Sequence, residues 1–363
     1  MTEFNEKQDR VRNLLLQSGL EALLLRRVSS FAWATCGASS FVNTAATHGE
    51  AALLFTPSGR FVITNNIEAP RLEKEEHLAV QGWQMKVAAW YEKQTAVEEL
   101  ARGWRLGADG SFPSATDLSI EIAHLRALLT PEEDGRFRTL ARLCSQAMDE
   151  AARSVRPGQS ERQIAGRMAS ECEARGVQAI VNLVATDERI DRFRHPLPTD
   201  KILTRYALLV LCGRKWGLVC SVSRLVHFGH LSDDLRHKQE AVARIDAVMI
   251  AGTRPDRILR DIVHDAISAY QAAGFPDEWR NHHQGGPAGY EPREYLATPE
   301  SLESVSAGQT YAWNPSVSGA KSEDTILVGD AENEILTAMP DWPTLAISVE
   351  GRTLSRPAIL EVT

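Results

Sequence analysis

The sequence has no CxxC pair and no long hydrophobic run, and these absences exclude several classes of protein. Its five cysteines are odd in number and widely spaced, which argues against a zinc ribbon or a disulfide framework. The longest apolar runs, such as residues 207–212, are too short to span a membrane. The first twelve residues are highly charged and lack the apolar core of a signal peptide. We therefore expect a cytoplasmic protein with no membrane partner and with most cysteines buried as thiols.

An excess of positive charge is also missing. The chain has 40 basic and 48 acidic residues, and its net charge of −8 argues against nucleic acid as a partner. Its 363 residues and 43% hydrophobic content are ordinary for a globular protein of two or three domains with a large core. The composition leaves an enzyme or a binding protein as the open choices.

One stretch, from His282 to Glu294, concentrates chemically useful groups. It contains two adjacent imidazoles, three glycines, a phenol, a guanidinium and two carboxylates. The glycines allow close approach of the backbone to a ligand, and the side chains supply donors, acceptors and a group that titrates near neutral pH. A polar surface turn and a ligand-binding site both remain open. Because adjacent residues rarely aim at one ion, we do not expect His282 and His283 to bind a metal ion together.

Residues 1–128 have the pattern of a self-contained α/β domain. Apolar positions at helical spacing predict a helix over residues 6–18, and residues 20–25 predict a buried strand. Residues 50–57 and 60–65 flank a Ser-Gly turn and predict a β-hairpin.

A second unit begins with a helix start signal. Thr130 and Glu133 form a capping box with proline at the first helical position, and the helix is predicted to run to about Val155. We therefore predict two domains, residues 1–128 and residues 129–363.

The second domain contains an internal repeat. Residues 157–164 resemble residues 251–258, and each phrase opens a helix that ends in a glycine, Gly176 or Gly274. Strand-like segments follow each helix. Two copies of helix, helix and strands predict a pseudo-twofold α+β domain with its pocket between the copies.

Four phrases of the sequence carry a family resemblance, at residues 193–200, 217–224, 282–294 and 322–328. Their order and separation resemble the family of aminopeptidase P, prolidase and creatinase. The resemblance covers nearly the whole chain. It implies a creatinase-type N-terminal domain followed by a catalytic domain of the α+β pita-bread fold, and it implies a homodimer.

The resemblance also identifies where this sequence departs from the family's metallopeptidases. Those enzymes hold two divalent metals with two aspartates, a histidine and two glutamates. The corresponding residues here are Leu211, Ser221, Gly286, Asn314 and Glu323. Since one carboxylate cannot offset the charge of two metal ions, we expect no metal and no cofactor.

Creatinase is the family precedent for a site without metal. It resembles this sequence in keeping two groups, which match His195 and Glu323. The histidine of creatinase is implicated in proton transfer during hydrolysis of a guanidinium C–N bond. A second creatinase glutamate falls on Ser223, so creatine itself is not the expected substrate.

The same residues suit hydrolysis of a C–N bond on chemical grounds. His195 can take and return a proton near neutral pH, and Glu323 can orient it or bind a cationic nitrogen. Arg293 can bind a substrate carboxylate with two parallel hydrogen bonds. Ser223 and Asn314 can donate to a developing oxyanion. Three further residues are expected to contact substrate: His282, His283 and Tyr290.

The predicted function is therefore metal-independent hydrolysis of a C–N bond in a small carboxylate-bearing compound. The compound would be amino-acid-like or of the guanidino or amidino type. Two alternatives stay open: a catalytically inactive binding module of the same fold, and an Xaa-Pro-type metallopeptidase with an atypical site. Metal content and ligand binding distinguish the three.

Overall fold

The computed structural model describes residues 2–363, which form two compact units. The first comprises the described residues up to Glu133 together with Trp216–Leu218, and the second comprises Asp134–Lys215 and Val219–Thr363. The assignment of residues 1–128 and 129–363 as a creatinase-type N-terminal domain and a catalytic domain stays a prediction.

The first unit is built on a six-stranded sheet in the order β4-β3-β2-β1-β5-β6. The predicted hairpin is confirmed, since β2 pairs antiparallel with β3. The predicted first helix is confirmed as α1, which Gly19 ends with a φ of 66°. The elements are α1 (Glu3–Ser18), β1 (Ala22–Arg27), α2 (Val28–Ala34), β2 (His48–Thr56), β3 (Gly59–Asn65), α3 (Ala69–Lys74), a 3-10 helix (Leu78–Gln81), β4 (Gln84–Ala88), α4 (Ala96–Leu100), β5 (Leu106–Ala108), β6 (Ala115–Asp117) and α5 (Ser119–Ala127).

The rest of the chain begins with a long helix whose start signal was predicted. Thr130 N donates to Glu133 Oε2 at 2.7 Å, and Glu133 N donates to Thr130 Oγ1 at 3.2 Å. The elements are α6 (Pro131–Arg153), α7 (Glu161–Glu173), β7 (Gln178–Thr186), α8 (Glu188–Arg192), β8 (Tyr206–Lys215), β9 (Leu218–Phe228), α9 (Asp233–Gly252), α10 (Leu259–Ala272), a 3-10 helix (Glu278–Asn281), β10 (Gly285–Ala288), β11 (Thr310–Trp313), β12 (Ser316–Val317), β13 (Ala320–Lys321), β14 (Asp324–Leu327), β15 (Glu334–Ile335), β16 (Thr344–Val349), β17 (Arg352–Pro357) and β18 (Leu360–Val362).

The second unit repeats one arrangement twice, as the sequence predicted. One copy is α6, α7, β7 and β8, and the other is α9, α10, β10 and β11. In each copy an isolated antiparallel bridge forms at the start of the second helix, at Ser160 with Ile202 and at Ile258 with Ser304. The strands of the two copies belong to two four-stranded sheets, with the orders β18-β9-β8-β7 and β10-β11-β14-β15. The α+β pita-bread prediction is confirmed.

A buried apolar core fixes the second of these sheets. Ile245 and Met249 of α9 pack with Tyr311, Trp313 and Ile326 of β11 and β14, and all five side chains are fully buried. This core gives rigid support to the strand ends that carry the polar residues described next. Across residues 2–363, the helices are all too short or too polar to cross a membrane.

Candidate active site

Two segments with alternating side chains bring polar groups to one region of the second unit. Because successive side chains of a strand point to opposite faces, Ser221 and Ser223 on β9 share a face. The same spacing relates Lys321, at the end of β13, to Glu323, directly before β14. Ser223 N donates to the Glu323 carbonyl at 3.2 Å, so the two segments lie side by side.

Glu323 is held between two fixed cations. Its Oε1 accepts from Arg293 Nη2 at 3.0 Å, and its Oε2 accepts from Lys321 Nζ at 3.0 Å. The Ser223 hydroxyl also donates to Oε2. Burial opposes ionisation of this carboxyl, but the charges of Lys321 and Arg293 outweigh burial and lower its pKa to about 2. Glu323 is therefore an anion at neutral pH.

The Arg293 guanidinium is fixed by several acceptors. Its Nη1 donates to Ser221 Oγ at 3.1 Å and to the Pro292 carbonyl at 2.6 Å, while Nη2 donates to Glu323. The side chain is 8% exposed, and its Nε is buried without a hydrogen-bond partner. A buried donor of a charged group is costly to leave unpaired, so a ligand acceptor that reached this atom would be stabilised.

Three histidines form a cluster in the field of these charges. His195 Nε2 and His282 Nε2 lie 3.0 Å apart, and the rings of His282 and His283 stack with centroids 4.4 Å apart. Adjacent residues were not expected to aim at one ion, but the side chains of His282 and His283 lie side by side. Regular strand geometry begins only at Gly285, so no pleat forces the two adjacent rings to opposite faces.

The imidazoles of the cluster are neutral at pH 7. Burial lowers the pKa of His195, and the charges of Lys321 and Arg293 lower it further. Burial and then the charge of Lys321 lower the pKa of His282 to about 2. For His283, burial and then the charge of Arg293 lower the pKa to about 4. Neutral imidazoles can accept a proton from a reacting group.

A second charged network lies buried behind Glu323 and holds the start of β14. Asp324 accepts from Arg224 Nη2 at 2.9 Å and from Arg356 Nη2 at 2.7 Å. Arg356 also donates to Asp246 at 2.6 Å through the same nitrogen. Because each charge in this network has a partner, the backbone that carries Glu323 is firmly anchored.

Two other predicted residues are buried near this region of the chain. Asn314 directly follows β11, and its backbone N–H donates to the backbone carbonyl of Gln284 at 3.0 Å. Its Oδ1 is buried without a hydrogen-bond partner. Tyr290 is 2% exposed, and its amide donates to Glu294 at 2.7 Å. A substrate contact by Asn314 or Tyr290 stays a prediction.

The structure thus brings most of the predicted residues together and adds one that sequence reasoning missed. His195, His282 and His283 meet in one cluster, while Ser223, Arg293 and Glu323 meet in one ion network. Lys321 was missed. Its signal was the two-residue spacing to Glu323, which places both side chains on one face of an extended segment.

The stretch from His282 to Glu294 is not a polar surface turn. Residues 284–290 are buried, and Gly285–Ala288 form strand β10 against β11. A Cβ at Gly285 would lie 2.2 Å from the Ala312 carbonyl oxygen, so glycine is required for this close backbone approach. The surface-turn interpretation is therefore wrong.

The comparisons with known proteins settle the family. Residues 135–330 match the model of metallopeptidase family M24. The chain belongs to this family. An uncharacterized peptidase of Staphylococcus aureus strain MW2 is 25% identical over 252 residues, which cover 66% of this chain and 70% of that relative. Membership of M24 makes the chain a hydrolase that acts on C–N bonds.

Solved structures share the M24 fold over almost the whole chain. An Xaa-Pro dipeptidase from Bacillus anthracis has a TM-score of 0.80 and 17% identity, and the match covers 99% of this chain and 100% of that one. The N-terminal domain of the FACT complex subunit SPT16 from Cicer arietinum has a TM-score of 0.70 and 14% identity, covering 93% and 94%. Likeness at this identity concerns the fold alone.

Four of the residues that the resemblance aligns with metal ligands do not fit a dinuclear centre. Leu211 is apolar and fully buried, and the Ser221 hydroxyl is already bound by a guanidinium. Even a Cβ at Gly286 would lie 2.3 Å from the Tyr295 carbonyl oxygen, which leaves no room for an imidazole. Both oxygens of Glu323 are bound by cations. Two divalent ions would find too little negative charge here.

The three histidines are the other group that could be considered for a metal. One nitrogen from each of His195, His282 and His283 lies within 4.8 Å of the others. However, Lys321 and Arg293 lower the pKa of nearby histidines, which shows that their positive charges act at the cluster. A divalent cation would meet the same repulsion, and Glu323 is the one carboxylate whose charge acts on the cluster and could offset it.

Proposed function

We propose that this M24 hydrolase cleaves a C–N bond in a small carboxylate-bearing compound without a metal ion. The compound is amino-acid-like or of the guanidino or amidino type. The observation that supports this most strongly is the environment of Glu323. Arg293 and Lys321 bind its two oxygens, one each, at a position that serves metal ions in the M24 peptidases. Two fixed cations take over the electrostatic role of the metals.

His195 is the proposed acid–base group. In hydrolysis, the oxygen of water forms a bond to the electrophilic carbon while His195 takes a proton from that water. The C–N bond then breaks with its electron pair on nitrogen, and His195 returns the proton to that nitrogen. The imidazole begins neutral, as its lowered pKa requires, and ends neutral after one water is consumed.

His282 is the proposed positioning partner of His195. A proton is shared between the two Nε2 atoms, which are 3.0 Å apart. When His195 donates from Nε2 to His282, its Nδ1 lone pair is free to accept a proton from water. His282 thus fixes the tautomer and the ring orientation of the base, as the carboxylate does in other catalytic sites.

The remaining polar atoms suit an anionic substrate. Arg293 Nε is a buried free donor that can bind the substrate carboxylate, while Asn314 Oδ1 is a buried free acceptor for a substrate N–H. The Ser223 hydroxyl already donates to Glu323, so in this proposal it supports that carboxylate and does not donate to an oxyanion. His283 stacks on His282 and closes the cluster.

The proposal predicts that removal of His195 abolishes turnover. Substrates are first found by screening carboxylate-bearing amides, ureas, guanidines and amidines for hydrolysis. His195→Ala should then lower kcat by about 100- to 10,000-fold, the usual contribution of a general acid–base. His264→Ala, at an exposed position on α10, is the matched control and should retain full activity. Unchanged turnover in His195→Ala would overturn the proposal.

Two other functions remain as alternatives with distinct outcomes. A binding module would bind a macromolecule and show no turnover with any screened compound. An atypical Xaa-Pro metallopeptidase would lose activity on chelation, and its metal would have to bind at the three histidines despite the positive charges of Lys321 and Arg293. The cytoplasmic location and the homodimer also stay predictions, and light scattering after size exclusion tests the dimer.

A further inference from the structure

The charges around the histidine cluster do not balance. The groups whose charges act on the pKa of His195 are Lys321, Arg293 and Glu323. These three side chains are 7%, 8% and 3% exposed. With neutral imidazoles, two cations against one carboxylate leave one positive charge on buried side chains, beside the exposed His195.

Two acidic groups of neighbouring segments, Asp324 and Glu278, are already neutralised. Asp324 is paired with Arg224 and Arg356 at 2.9 and 2.7 Å. Glu278 is paired with Arg194. A ligand that enters the cluster therefore meets a net positive field, which an anion relieves and a cation makes worse.

Glu323 is poorly placed to receive a cationic group of the substrate. A guanidinium or amidinium binds a carboxylate through two parallel hydrogen bonds, one to each oxygen. Here Arg293 holds Oε1, while Lys321 and Ser223 both hold Oε2. The fork of a substrate guanidinium would have to displace a cation that is built into the fold.

The hydrogen-bond donors and acceptors of the site also favour a substrate with an uncharged C–N group. Lys321 and Arg293 can only donate, and a guanidinium can also only donate. A guanidino group therefore offers no acceptor to Arg293 Nε, the donor that the protein leaves without a partner. An amide or ureido group offers a carbonyl oxygen to the donors, and it offers an N–H to the buried free acceptor Asn314 Oδ1.

Building on the proposed function, we propose that the substrate is an anion whose scissile C–N group is uncharged, such as an N-acyl or N-carbamoyl amino acid. Lys321 is the residue that excludes the cationic guanidino and amidino analogues. Arg293 and Lys321 together receive the carboxylate and the carbonyl oxygen. Of the two kinds of substrate in the proposed function, this inference keeps the amino-acid-like compounds and excludes the guanidino and amidino compounds.

Matched pairs of compounds test the inference directly. N-carbamoylglycine and guanidinoacetate differ only in one terminal group, a neutral carbonyl oxygen against a cationic nitrogen. N-carbamoyl-β-alanine with 3-guanidinopropionate, and N-acetylglycine with its acetimidoyl analogue, extend the panel. In the pair that binds most tightly, one compound has an uncharged C–N group and the other a cationic one. We expect calorimetric titration of the full chain to show at least about tenfold tighter binding of the compound with the uncharged group.

Two substitutions at Lys321 show whether its charge sets this preference. The ratio compared is the affinity for the uncharged compound of a pair divided by the affinity for the cationic compound. Lys321→Gln should lower this ratio at least about fivefold, whereas Lys321→Arg should leave it unchanged. Lys201→Gln, which removes a lysine from a partly exposed pair with Glu188, is the control and should leave the ratio unchanged. A melting curve of each variant confirms that it is folded.

The outcomes separate this inference from the proposed function. Equal or tighter binding of the cationic members, or binding of no member of the panel, overturns the inference. Hydrolysis of a guanidino compound that depends on His195 would overturn it while the proposed hydrolase stands. Tight binding of an N-carbamoyl compound without turnover would support the substrate class and count against the hydrolase.

Discussion

Lys321 Nζ lies 3.0 Å from Glu323 Oε2, and both side chains are almost completely buried. Glu323→Gln removes the anion and leaves Lys321 and Arg293 facing each other without a counter-charge. Because breaking a buried pair leaves uncompensated charge, we expect the free energy of unfolding to fall by about 3–5 kcal/mol. Urea unfolding followed by circular dichroism measures this change.

The control for that prediction is Glu334→Gln. Glu334 also pairs with an arginine, Arg138, at 2.8 Å, but its side chain is 51% exposed. Loss of an exposed pair should cost at most about 1 kcal/mol. An equal loss in the two variants would contradict the structural role given to Glu323.

Arg293→Lys tests the guanidinium as a carboxylate receptor. Lysine keeps the charge but cannot hold Ser221, Glu323 and a ligand at once, since it lacks the planar fork. We expect KM for a carboxylate substrate to rise at least about tenfold, with a smaller effect on kcat. Steady-state kinetics measure both. Arg260→Lys, on the exposed side of α10, should behave as the unsubstituted chain, and a change confined to kcat would argue against the receptor role.

The pH dependence of kcat/KM reports on His195. Its pKa is lowered from the ordinary histidine value of 6.5, chiefly by burial and then by Lys321. The neutral imidazole is the active form, so activity is present above this pKa and is lost as the pH falls through it. The acid limb should therefore lie below pH 6.5.

Lys321→Gln should move that limb in a known direction. Since the charge of Lys321 lowers the pKa of His195, its removal should shift the limb to higher pH. Lys201→Gln serves again as the control. A limb that does not move, or one that moves to lower pH, would show that Lys321 does not act on the base.

Arg356→Met tests the network behind the site. Arg356 is fully buried between Asp246 and Asp324, and its loss leaves two buried carboxylates short of a partner. We expect the free energy of unfolding to fall by about 3–5 kcal/mol. Arg162→Met removes an exposed pair with Asp200 and should change it by at most about 1 kcal/mol. Unfolding midpoints in urea give the comparison.

Much of the fold was predictable because local signals decided it. The capping box of Thr130 and Glu133 formed as predicted, and the second box at Ser160 with Gln163 begins α7. The sequence repeated at residues 157–164 and 251–258 marked both copies of the helix pair. In each copy this repeat includes the residue that forms an isolated β-bridge at the start of the second helix. Each of these signals involves only a few neighbouring residues, so it can be recognised from a single sequence.

The site was only partly predictable because its contacts join distant segments. His195 and Glu323 could be found through family phrases, but the ion pair of Glu323 with Lys321 depends on how the β12–β13 hairpin meets β14. The stacking of His282 on His283 also escaped, since it depends on irregular backbone ahead of β10. Alternation rules apply only where the strand is regular.

Metal content measured together with activity tests the central claim most directly. The protein is purified without chelator, its metals are counted by elemental mass spectrometry, and hydrolysis of the best substrate is measured before and after dialysis against EDTA. We predict far less than one metal ion per chain and an unchanged rate. One or two metal ions per chain, removed by EDTA together with the activity, would contradict the claim and return the chain to the metal-dependent peptidases of M24.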